Sequence, residues 1–218
     1  RFAKKRYRIR DPVRDLRISR KYVMDPNKVL THQEWEKLKK TVYQMNGAEG
    51  IRIAMYTGMR IGEICALKKE DINFEEGIII IRRTAERVRV SEEERKDGRK
   101  TKLILNTPKS VNSFRMIPIP HILEPTLHQL CDARKQGEYI ISTDGRKPLD
   151  PRTMQERFQK VLQKGYIRHV NFHAIRHTFA TWCVEKHMDI KVLSEILGHS
   201  SVKITLDRYV HSSMEFKK

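Results

Sequence analysis

Six side chains with chemistry to offer fall in order along this chain: Arg60, Lys109, His173, Arg176, His199 and Tyr209. They stand in the stretches TGMRIGEI, TPKSVNSFRMIPI, HAIRHT, LGHSS and LDRYVH. Fixed cations, two imidazoles and a phenol near the C-terminal end suit one reaction. A tyrosine can attack a phosphodiester while the cations hold the charge that gathers on phosphorus. No single motif requires this; the combination and its order point to it.

Each stretch has an ordinary reading beside the chemical one. Arg60 follows a Thr-Gly break and precedes Gly62, so a phosphate can approach closely at a helix entry. Glu63, three residues on, can orient the guanidinium; a plain surface ion pair would look the same. His173 and Arg176 are three apart, which puts them on one helix face where both can serve one anion. A solvated helix surface gives that spacing too. His177, next door, is expected on a different face in a structural role. His199 follows a helix-ending glycine, where a histidine also complements the helix dipole. Tyr209 is by residue type more often a packing residue. Its free pKa is about 10, so it needs neighbouring cations to react at neutral pH. Lys109 lies in a turn and, by composition, is one more solvated lysine.

The elements that must position these groups are legible in outline. Thr31 and Glu34 form a capping-box pattern, followed by Trp35, Leu38 and Val42 at helical spacing. Further helices are expected over 50–56 and 61–67, with Gly58 as the break. Strands are expected at 78–81, 101–105 and 115–119, forming a small three-stranded antiparallel sheet. Between the first two runs ERVRVSEEERKDGRK, an extended charged insertion with Asp97–Gly98 as its turn. Helices return over 121–136, from Asp150 and Pro151 onward, over 173–187, from Asp189 to Gly198, and from Ser201 to Tyr209. The fold class is α+β, mainly α-helical.

The chain has 218 residues, enough for a substantial core. Lys and Arg number 45 against 27 Asp and Glu, a net charge of +18. So basic a chain expects a polyanion, first of all nucleic acid. No apolar run is long enough for a bilayer, so no membrane partner is expected. Three cysteines without a CxxC pair argue against a disulfide framework or a zinc site, and fit a reducing cytoplasm. Residues 1–30 are basic and broken by Pro12 and Pro26, and read as a linker or arm. Residues 31–218 read as the folded domain.

Taken together, from Val29 to Tyr209, the stretches resemble the tyrosine recombinase family, the phage-type integrases. TGMRIGEICALKKEDIN is similar to that family's first-arginine region, TPKSVNSFRMIPIP to its β-turn lysine region, FHAIRHTFAT to its HxxR box, and LGHSSVKITLDRYVH to its closing histidine–tyrosine box. The charged insertion resembles that of integrases from conjugative transposons. The spacing from His199 to Tyr209 is one residue longer than in many members.

The resemblance implies a tyrosine recombinase catalytic-domain fold and a set of roles. Tyr209 would be the nucleophile, forming a 3′-phosphotyrosine link and freeing a 5′-hydroxyl. Arg60 and Arg176 would clamp the phosphate, His199 would add a hydrogen bond, Lys109 would protonate the leaving oxygen, and His173 would exchange the nucleophile's proton. Glu63 would support Arg60. No cofactor, metal or ATP is implied. The implied partner is double-stranded DNA at attachment sites, met by a homotetramer on two duplexes, monomeric alone, and helped by a directionality factor. The implied setting is the bacterial cytoplasm, at the nucleoid. An N-terminal DNA-clamping domain, usual in the family, is expected to be absent from this chain. Two competing readings remain open: a type IB topoisomerase-like enzyme that relaxes DNA, and a non-catalytic DNA-binding regulatory factor.

Overall fold

The computed structural model describes residues 29–91, 100–107 and 114–210. Helix α1, His32–Tyr43, starts at the capping box: the Thr31 hydroxyl accepts from Glu34 N at 3.2 Å, and Glu34 accepts from Thr31 N at 2.8 Å. Its Trp35, Leu38 and Val42 are buried at the helical period. Arg168 binds Glu34 at 2.8 Å and the Val29 carbonyl at 2.6 Å, and Leu30 N reaches Thr178 Oγ1 at 2.9 Å. The start of the domain is thus tied to its last third.

Helix α2, Glu49–Thr57, ends at Gly58, whose φ of 63° is the left-handed cap that glycine adopts without steric cost. A Cβ there would stand 2.5 Å from the Phe179 ring, so two demands select glycine. Arg60 then opens α3, Ile61–Cys65. Three strands form one antiparallel sheet: β1 (Ile72–Asn73), β2 (Ile78–Ile81) and β5 (Arg115–Pro118), in the order β1-β2-β5. Ile79 and Ile117 face each other in register and are buried, as the alternation requires.

The third strand of that sheet is not the expected 101–105 segment. Strand β4 (Thr101–Asn106) pairs instead with β3 (Thr84–Arg89) as a separate hairpin, Thr84 opposite Asn106 and Arg89 opposite Thr101. Ion pairs to Asp71 accompany the departure from the sheet. Just past Ile81, where β2 ends, Arg83 lies 2.8 Å and Arg82 3.4 Å from the Asp71 carboxylate. The charged insertion is therefore a hairpin, and its 92–99 segment, with Asp97–Gly98, lies outside the described residues. Arg87 clasps Asp150 through Nε at 2.8 Å and Nη2 at 2.7 Å.

After a single 3₁₀ turn, His121–Leu123, comes α4, Glu124–Asp132, shorter than the expected 121–136. Asp150 caps α5, Pro151–Lys164, accepting from Arg152 N at 2.9 Å, with Pro151 at the first position. Helices α6 (His173–Glu185), α7 (Ile190–Leu197, capped by Asp189) and α8 (Val202–Thr205, capped by Ser201) follow. The chain then widens into a π-turn, Leu206–Val210. The main core joins α1, α2, α5, α6 and the sheet around Leu38, Ile51, Phe158, Ile175 and Ile79. A smaller cluster of Ala180, Leu193, Leu197 and Tyr209 holds the last helices. No helix among the described residues is long and apolar enough to cross a membrane.

Candidate active site

Two left-handed glycine turns build the site. A helix leaves its last carbonyls without partners, and those carbonyls carry the negative end of its dipole. At the end of α2 the Gly58 carbonyl accepts from Arg176 Nη1 at 2.8 Å. At the end of α7 the Leu197 carbonyl accepts from Arg176 Nη2 at 2.6 Å, and the Gly198 carbonyl from Arg60 Nη2 at 3.1 Å. Each arginine thereby satisfies orphaned acceptors while its charge is held in place. Arg176 is 3% exposed, whereas the Arg60 side chain is 39% exposed.

Arg60, His173, Arg176, His199, Ser200 and Arg208 line a cavity of about 290 Å³. Burial, then the charges of Arg176, Arg60 and Arg208, holds His173 down to about 4 and His199 down to about 3. Burial and Arg60 also lower Arg176, to about 9, which leaves it charged at neutral pH. The cavity is a concentration of positive charge with two neutral imidazoles: a preorganised anion site. His199 Nδ1 shares a hydrogen bond with Thr205 Oγ1 at 2.8 Å, which fixes its ring.

Glu63 lies under this site. Burial alone would raise its carboxyl, but hydrogen bonds and charge from Arg115, then Arg60, hold it down to about 2. It binds Arg60 through Nη1 and the backbone N–H, both at 2.9 Å, as its spacing suggested.

Tyr209 stands beside the cavity and not among its lining residues. It is fully buried in the small cluster, with its ring parallel to that of His199 at 6.3 Å. Its hydroxyl shares a 3.0 Å hydrogen bond with His177 Nδ1. The expectation for His177 needs correction on this point. One turn beyond His173, its ring meets the His173 ring edge-on at 4.6 Å, so the two lie on one side of α6. An i, i+4 pair had to do so, and that spacing was the signal available.

The structure thus brings together Arg60, Glu63, His173, Arg176 and His199, with Tyr209 adjacent. Lys109 lies outside the described residues. Sequence reasoning passed over Arg115 and Arg208, and set His177 aside as structural. The signal for Arg115 was its alternation with Ile117, which puts an arginine on the inward face of a strand. Among the described residues, no three His, Cys, Asp or Glu side chains gather as they would around a metal ion.

A mainly helical domain with this small sheet, presenting two anchored arginines beside a tyrosine, defines a class with known members. The profile described as the phage integrase family matches residues 28–215. The chain belongs to that family, the tyrosine recombinases. It is 33% identical over 173 residues to the "Tyrosine recombinase XerC-like" of Caldanaerobacter subterraneus subsp. tengcongensis, covering 73% of this chain and 44% of that protein. It is 32% identical over 152 residues to "Tyrosine recombinase XerA" of Thermococcus onnurineus, covering 68% and 45%. It therefore spans less than half the length of these relatives. Among solved structures, the Tn1549 transposon integrase in complex with a circular intermediate DNA matches with a TM-score of 0.69 at 21% identity, over 89% of this chain and 66% of that one. The crystal structure of XerA recombinase matches with a TM-score of 0.65 at 22% identity, over 87% and 64%. These structural likenesses show a shared fold.

Proposed function

We propose that this chain is the catalytic part of a site-specific DNA recombinase that integrates or excises a mobile element. The observation that carries this reading is the anion cavity, with two anchored arginines and two neutral imidazoles, beside a tyrosine near the end of the domain. Residues 31–218 are the catalytic domain in this reading, and 1–30 a basic linker to a DNA-clamping domain.

The substrate phosphate enters the cavity, where Arg60 and Arg176 meet its non-bridging oxygens and His199 donates a hydrogen bond. Tyr209 turns out of its cluster, and its oxygen attacks phosphorus as the P–O5′ bond breaks. The phenol proton passes to His173, and Lys109 supplies a proton to the departing 5′-oxygen. One phosphodiester is exchanged for another, so the step needs no ATP. A 5′-hydroxyl from a partner duplex then attacks the phosphotyrosine and releases Tyr209. The partner is double-stranded DNA, bound by a tetramer across two duplexes with a directionality factor biasing the outcome. It follows that the chain works in the cytoplasm on nucleoid DNA. The inserted hairpin favours the conjugative-transposon branch.

Covalent trapping tests the reading. The chain and its Tyr209→Phe variant are mixed with nicked duplexes from the ends of the host element and run on denaturing gels. An adduct with the tyrosine form alone supports strand cleavage. DNA binding without an adduct, in this chain and in an N-terminally extended one, favours a non-catalytic DNA-binding factor.

A further inference from the structure

Arg115 is the one buried arginine among the described residues that the chemistry above leaves without a task. Its side chain is 5% exposed. A guanidinium in such a place is costly unless its donors are matched. Here Nη1 and Nη2 donate to the two Glu63 oxygens at 2.9 and 2.8 Å, and Nε donates to the Ile196 carbonyl at 2.6 Å.

The same two Glu63 oxygens accept from Arg60, one from its guanidinium and one from its backbone. Arg115 therefore grips from below the carboxylate that Arg60 grips from above. It also abuts the turn at the end of α7. A Cβ on Gly198 would meet Arg115 Cδ and Nη1 at 3.0 Å, and the φ of 62° there already demands glycine. The Gly198 carbonyl is the other acceptor of Arg60. Arg115 thus binds one group that holds Arg60 and lies beside the turn that carries the other. An apolar side chain of similar size could supply cohesion at this point. It could not supply a fixed carboxylate.

We propose that Arg115 is a positioning residue of the anion cavity. Through Glu63 and the Gly198 turn it sets the Arg60 guanidinium where the non-bridging oxygens of the scissile phosphate are met. The inference rests on the strand-cleavage reading and assigns Arg115 no contact with DNA. It must be separated from an effect on Lys109, which precedes Arg115 by six positions.

Three nicked duplexes make that separation. One has an ordinary scissile phosphodiester. In the second, a methylphosphonate removes one non-bridging charge. In the third, a 5′-bridging phosphorothiolate leaves as sulfur without needing a proton. The chain, Arg115→Lys, Arg115→Met and Glu63→Gln are compared for adduct rate, duplex affinity and cooperative melting. On the phosphodiester, each variant should lose about 100-fold in rate with its affinity retained. The deficit relative to the unaltered chain should shrink to within about tenfold on the methylphosphonate, where less charge needs Arg60. It should persist on the phosphorothiolate. Equal loss on all three substrates would mark a merely structural role and overturn the inference. Relief by the phosphorothiolate alone would assign the effect to Lys109 and overturn it too, as would unaltered rates. Should Arg115→Met fail to fold, Glu63→Gln carries the same comparison. If neither the unaltered chain nor its N-terminally extended form makes an adduct with any of the three, the strand-cleavage reading itself falls.

Discussion

The Tyr209 hydroxyl lies 3.0 Å from His177 Nδ1, in a cluster that buries the whole tyrosine beside an open, cation-lined cavity. In the strand-cleavage reading the phenol leaves that seat to reach a phosphate. Tyr209→Phe keeps the packing and removes the hydroxyl. It should abolish the covalent adduct and change duplex affinity by less than about twofold. It should cost about 1 kcal/mol of stability for the lost hydrogen bond. Denaturing gels and urea titrations read the two effects separately.

Arg176 carries two burdens. In the strand-cleavage reading Arg176→Ala removes a transition-state donor, worth about 2.7–4 kcal/mol, so adduct formation should fall by roughly two to three orders of magnitude. It also strips the Gly58 and Leu197 carbonyls of their partner, so the midpoint of unfolding should drop as well. Exposed Arg60 should show the kinetic loss with a smaller stability loss. If both alanine variants lost stability equally, the contrast in burial would carry no energetic weight.

The imidazoles offer a titration. His173 and His199 are held near 4 and 3, below the ordinary histidine value of 6.5. A base whose folded pKa is lowered binds its proton more readily when unfolded. Its contribution to stability is therefore complete above about pH 6.5, and is lost as pH falls toward the folded values. Imidazole resonances of the DNA-free chain should keep their neutral shifts through pH 5. Adding a phosphate-bearing duplex end should move both midpoints upward, since the anion offsets the arginines.

Glu63 supplies a second acid limb by the same logic. Its carboxyl is depressed from 4.5 to about 2, so its stabilisation is present above about pH 4.5 and fades as pH falls through about 2. Glu63→Gln should lower stability at neutral pH and flatten the acid limb between those values. Urea midpoints measured across that range decide the matter.

Gly58→Ala meets two obstacles: a left-handed backbone and a Cβ 2.5 Å from Phe179. The backbone alone costs about 1–2 kcal/mol. The variant should melt lower by at least that much and cleave more slowly, since the Gly58 carbonyl anchors Arg176.

The helices were largely legible because their signals are local. Thr31, Asp150, Asp189 and Ser201 each announce a cap, and each cap is made. The sheet was legible in outline only. Thr101–Asn106 has the composition of a strand, but composition does not name its partner, and the ion pair that Arg83 makes at the departure from the sheet reaches back 12 residues to Asp71. In the site, order and spacing singled out Arg60, His173, Arg176 and His199, and all four line one cavity. Alternation with Ile117 marks Arg115 as inward-facing, but its partners Glu63 and Ile196 are 52 and 81 positions away, beyond any local pattern.

The bond from Arg60 to the Gly198 carbonyl joins residues 138 positions apart. Arg60 therefore leaves the ribosome long before the turn that orients it exists. A nascent chain that has reached only α6 carries both arginines, but neither has its α7 acceptor. The anion site comes into being when the last helices dock, a late and non-local event in folding. In the strand-cleavage reading, a half-made protein could cling to DNA through its charge but would lack an assembled means of cutting it.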